Sequence, residues 1–240
     1  MTIANSSIAY DRYIRLEWIA EALKVRVSGS NPDELEKYLD GVKLGKEARV
    51  KLKTKLKLLC LEPRVELQDF IDRGINSISN SSTSNSVLIF AWGSIIVNNV
   101  FFGRVSETIG RLSSIQGVCS SPEVYRRMGE LYGERHNIRV AAQAVIQTLV
   151  DWKVITREKN ESKLTPAEKV KISDPELILW LIEALVRQAG RPLPIEMLNS
   201  TPIAFPFAFD NSLPYLVSNS KELALQQGGA NQQLVALHDQ

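Results

Sequence analysis

The chain has 240 residues, 44% of them apolar and 23% charged, with 29 Lys and Arg against 27 Asp and Glu. This composition argues against a disordered chain and allows one sizeable core or two to three small ones. Cys60 and Cys119 stand far apart without ligand-type spacing, which speaks against a disulfide framework or a zinc site and reads as two reduced thiols.

The opening MTIANSSIAYDRYIRLEWIA lacks a basic start followed by an apolar run, so no secretory signal is expected. The most apolar stretch, VLIFAWGSIIV at residues 87–97, is too short to span a bilayer and predicts a buried helix. A cytoplasmic protein without membrane contact is the expectation. Residues 1–98 are predicted to form a helical domain. Tyr13, Leu16, Ile19 or Ala20, and Leu23 recur at three-to-four spacing, and Asn31-Pro32 is a helix start before DELEKYLDG. In KEARVKLKTKLKLLCL, basic residues alternate with apolar ones at a strand period, while Leu52, Leu56 and Leu59 make a helical seam; the helical neighbours favour helix. Its seven basic residues within 43–57 are expected on a solvated face, with phosphate contact as the alternative. The tract NSISNSSTSNS, residues 76–86, is predicted to be a flexible loop.

From residue 99 the pattern changes. Phe101, Val105, Ile109 and Leu112 mark the core face of a helix that Gly117 ends, Ser121-Pro122 opens a shorter one, and Gly133 closes that. After the turn ERHN comes NIRVAAQAVIQTLVDWKVI. There Arg139, Gln143, Gln147 and Asp151 recur every four residues, one polar stripe on an otherwise apolar helix. Two short β-prone runs, residues 154–157 and 164–172, then flank the charged tip EKNES. Residues 99–172 hold 12 Lys and Arg against 8 Asp and Glu, a net +4.

Residues 173–240 repeat this plan in a weaker form. Asp174-Pro175 starts a helix that Gly190 ends, PIEMLNS and NSLPYLVSNS are short helices, and ELALQQGGANQQLVAL is a hairpin about Gly228-Gly229. This copy has 3 Lys and Arg against 7 Asp and Glu, a net −4, which disfavours duplex DNA and points to a protein partner or self-association. Phe205, Phe207 and Phe209 in the interrupting loop are a candidate contact for that partner, although core burial is the more usual place for Phe. Deleting residues 173–240 is expected to leave duplex binding by the remainder largely intact, unless this copy supplies a dimer contact.

By element order, lengths and period, residues 99–172 resemble a winged helix-turn-helix domain, about a third of the chain. The resemblance implies a mostly α fold with short hairpin wings, followed by a second, degenerate copy, and it implies double-stranded DNA as the partner. The third helix would enter the major groove, with Arg139 set for guanine and Gln143 and Gln147 for adenine. His136 and Asn137 at the helix start would reach phosphate, flanked by Arg126, Arg127 and Arg135, with Lys159 and Lys163 in the wing. Asp151 lies at the end that points away from the groove. Over the whole length, a helical first half followed by FFGRVSETIGRLSSIQG and AVIQTLVDWKVI is similar to small bacterial proteins encoded beside phage-defence genes, such as the BrxA-like components of BREX systems. That likeness implies a DNA-associated, non-enzymatic accessory protein and carries over no residue.

The sequence offers little for catalysis. His136 and His238 are the only histidines, and no phosphate-loop, dinucleotide, HExxH or GxSxG string is present. Glu107, Glu123 and Asp151 read as surface charge. No catalytic residue, cofactor or metal is expected, and the function is either DNA binding in phage defence or transcription control, or a scaffold in a defence complex that never touches DNA.

Overall fold

The computed structural model describes residues 10–158, 161–210, 212–229 and 232–238. The chain is mostly helical with small sheets, as its periodicity predicts. The first half runs α1 (Leu16–Ser28), α2 (Asp33–Asp40), α3 (Lys46–Leu56, continued by a π turn over Lys57–Leu61), α4 (Gln68–Asn80) and α5 (Ser86–Asn98). The ambiguous basic stretch is helical because Ala48, Leu52 and Leu56 bury one face at four-residue spacing. Its charges meet carboxylates: Arg49 lies 2.7 Å from Asp40, Lys51 and Lys55 lie 3.3 and 2.5 Å from Asp11, Lys57 lies 2.8 Å from Glu62, and Lys53 pairs with Glu36.

The serine-rich tract is not one loop. Ile75 is buried and Ile78 packs against the core, so residues 76–80 complete α4, Ser79 bonds the Ile75 carbonyl, and α5 begins again at Ser86. Tertiary burial of two isoleucines outweighs the poor helix propensity of Ser and Asn.

The middle of the chain runs α6 (Val100–Gln116), β1 (Cys119–Ser120), α7 (Ser121–Tyr132), α8 (His136–Asp151), β2 (Ile155–Thr156) and β3 (Lys163–Pro166). The strands form one antiparallel sheet in the order β1-β3-β2. The last part follows the same order: α9 (Pro175–Ala189), β5 (Leu193–Pro194), a 3-10 helix (Ile195–Ser200), α10 (Leu213–Ser218), β7 (Leu223–Gln227) and β8 (Gln233–Leu237), with sheet order β5-β8-β7. The expected second arm of the first wing, residues 164–172, is divided. Only β3 belongs to the hairpin, while β4 (Val170–Ile172) pairs in parallel with β6 (Phe207–Phe209). The hairpin ladder ends where the Ala167 amide donates to the Val154 carbonyl at 3.0 Å, and Ile172 is fully buried beyond it.

The boundaries near residues 98 and 173 fall at element ends, but the core crosses both. Trp92 of α5 packs edge-on against Phe102 of α6, Trp152 after α8, and Phe205 and Phe207, at centroid distances of 5.6, 6.3, 5.7 and 5.5 Å. Phe205, Phe207 and Phe209 are therefore core residues and present no docking surface. Trp180 of α9 is held more closely still. Its ring stacks on Phe70 at 4.6 Å and Phe90 at 5.4 Å, and its indole N–H donates to the Phe70 carbonyl at 2.8 Å. Gly74 and Gly93 make the slot, since a Cβ on Gly74 would stand 2.5 Å from the ring and one on Gly93 closer again. One turn on, buried Glu183 accepts two bonds from Arg73 of α4, at 2.7 and 2.9 Å, and one from Arg187 at 2.8 Å. The C-terminal copy is thus bolted into the first half by an aromatic ring in a glycine slot and a buried carboxylate between two arginines.

Candidate nucleic-acid interface

The helix pair α7–α8 is set by local chemistry. The Ser120 hydroxyl, one residue before the predicted cap, accepts from the Glu123 amide, and Pro122 sits in the first turn. Gly133 ends α7 at φ 89°, a left-handed backbone that a side chain would strain, and the Arg135 N–H closes the turn on its carbonyl at 2.9 Å. α8 buries Ile138, Ala141, Ala142, Ala144, Val145, Ile146, Thr148 and Leu149. Its exposed face carries His136, Asn137, Arg139, Gln143, Gln147 and Asp151, so the four-residue spacing faces solvent as predicted.

The stripe divides into two parts. At its far end, Asp151 accepts from the Leu16 amide at 3.1 Å and lies 3.9 Å from Arg15, placing a carboxylate at the N-terminus of α1 where the helix dipole favours it. Beside it, buried Thr148 gives its proton to the Ala144 carbonyl and accepts from the Ile14 amide at 3.0 Å and the Tyr10 hydroxyl at 2.7 Å. Burial pushes the Tyr10 hydroxyl up, against the lowering effect of that bond, so it stays protonated and donates. The Trp152 indole adds a bond to the Ile14 carbonyl at 2.9 Å. The C-terminal end of α8 is therefore fixed to the chain start. At the other end Arg139 lies 5.3 Å over the Tyr125 ring, and Gln143 and Gln147 make no side-chain hydrogen bond among the described residues.

The flanking cations differ among themselves. Arg126 and Arg127 of α7 are exposed but engaged by Glu123 and Glu130 along their own helix. The Arg126 hydrogen bond holds the Glu123 carboxyl below its usual range, and Glu123 raises Arg126 in return. Arg135 and Lys163 are exposed and make no ion pair among the described residues, while Lys159 lies outside them. The hairpin is pinned where the Ser121 amide donates to the Ser162 carbonyl at 2.7 Å. At its tip, the Arg157 side chain reaches the Glu161 carbonyl at 3.1 Å. Arg157 joins the exposed cations here; its place at the end of the first β-prone run was the available signal. The Arg73–Glu183 contact had none, because its members come together across 110 residues; Arg187 joins from one turn away on the same helix as Glu183.

Comparison with protein-family models, with curated proteins and with solved structures gives no match. Among the described residues no single helix is long and apolar enough to cross a bilayer.

Proposed function

We propose that residues 99–172 form a winged helix-turn-helix that binds double-stranded DNA, with α8 in the major groove and the β2–β3 hairpin against the backbone. One observation carries the reading. In the order α6-β1-α7-α8-β2-β3, with sheet order β1-β3-β2, α8 turns Arg139, Gln143 and Gln147 outward while its opposite end is fastened to the N-terminal segment. A reading helix needs that division between an anchored end and a free polar face. Arg139 is the guanine contact, Gln143 and Gln147 the adenine contacts, and His136, Asn137, Arg135, Arg157 and Lys163 the phosphate contacts. The ion pairs on α7 are exposed and screened by solvent, so Arg126 and Arg127 can exchange a carboxylate for a phosphate at small cost. Residues 173–240, acidic and with a reading-helix counterpart of six residues, serve a protein partner or a second copy of the chain. We place the protein in the cytoplasm as a non-enzymatic factor of phage defence or transcription control.

The test is an anisotropy titration of random and selected duplexes at two salt concentrations. Binding should weaken steeply with salt, and Lys163→Ala should reduce the slope by about one, the share of a single neutralised phosphate. The charge-balanced α7 face favours the competing scaffold reading, which expects no duplex affinity at either salt.

A further inference from the structure

A second site lies on the opposite side of the α7–α8 turn. A cavity of about 740 Å³ opens between α3, the start of the described chain, the α5–α6 junction and the end of α7. Its volume falls inside the range of small-molecule sites, roughly 300–1,000 Å³, and it lies where separate parts of a fold meet, as such sites do. Ile14, Leu59, Ile95 and Phe101 provide an apolar floor. Lys51, Lys55 and Arg64 stand in the wall with Asp11 as the one carboxylate, so the lining carries a net charge of +2.

From these features we infer that the cavity binds a small organic anion: an acidic head group at Lys51 and Lys55, and an apolar body on the floor. Lys55 is the deeper of the two lysines, with 18% of its side chain exposed against 48% for Lys51. Asp11, bridging both, tempers their charge. The inference is independent of DNA binding.

Calorimetric titration of the full chain with decanoate, decyl phosphate and decanol tests it. At least one of the two anions should bind one to one, and at least tenfold more tightly than decanol. The stronger anion identifies the head group as carboxylate or phosphate. Lys51→Ala with Lys55→Ala should weaken that anion at least tenfold, and Asp11→Asn should tighten it. Val100→Trp, at the partly exposed mouth, should block binding without changing the melting temperature. Equal affinity for decanol, no binding of either anion, or a Val100→Trp variant that binds as before would overturn the inference.

Discussion

The middle and last parts of the chain share one topology and use it in opposite ways. Both place a long helix first, a two-residue strand next, then short or long helical segments and a hairpin whose second strand sits centrally in the sheet; the last part adds a 3-10 turn (Pro202–Ala204) and β6 before its hairpin. In the middle copy the third helix has 16 residues and turns a polar face to solvent; in the last copy it has six. The long first helix of the last copy is instead buried nearly all round, from Leu177 to Val186, with Trp180 and Glu183 reaching into the first half. The difference shows that element order fixes how a sheet and its helices pack. Which face remains free for a partner depends on where the copy's apolar surface exceeds what its own sheet can cover.

Cutting the chain after Ile172 should have the largest effect. Sequence reasoning treats the last copy as removable, but Trp92 would lose Phe205 and Phe207, and the slot between Gly74 and Gly93 would lose its ring. The truncated chain is expected to lose cooperative unfolding, and a sharp thermal transition would sink this claim. Next in size, Glu183→Ala leaves Arg187 without its carboxylate and Arg73 with only Asp69 and the more distant Glu222, and should cost about 3 kcal/mol in urea unfolding, toward the lower end for a buried pair because both arginines are partly exposed. Gly93→Ala pushes a methyl into the Trp180 ring and should cost about 1–3 kcal/mol, accompanied by a change in tryptophan fluorescence.

In the middle copy the expected effects fall on binding. Arg139→Ala should cost about 1–3 kcal/mol on a preferred duplex and relax the preference at one base position. Its melting temperature should barely move, since the exposed side chain covers only the outer face of the half-buried Tyr125. Equal losses on every duplex would refute base reading by Arg139. The smallest effect is a gain. Lys153 holds φ 57° just past α8, where the Val154 and Lys153 amides return to the Leu149 and Val150 carbonyls. Lys153→Gly relieves that left-handed lysine and should stabilise the protein by about 1 kcal/mol, with duplex affinity unchanged.

Much of this was determined by the sequence alone. The three-to-four spacing of Leu52 and Leu56, the left-handed stops at Gly117, Gly133 and Gly190, the prolines at helix starts and the outward stripe of α8 are all signals that act within one or two turns of chain, so they survive in any tertiary setting. The remaining features depend on partners far apart in the chain. Asp151 becomes the cap of a helix 135 residues earlier, β4 leaves its hairpin for β6, the basic run of α3 finds carboxylates on other segments, and a polar serine tract is drawn into helix by two isoleucines. Periodicity tells which face of an element is apolar; only the packing of the whole chain tells what covers it, because burial is a property of the pair and not of either segment.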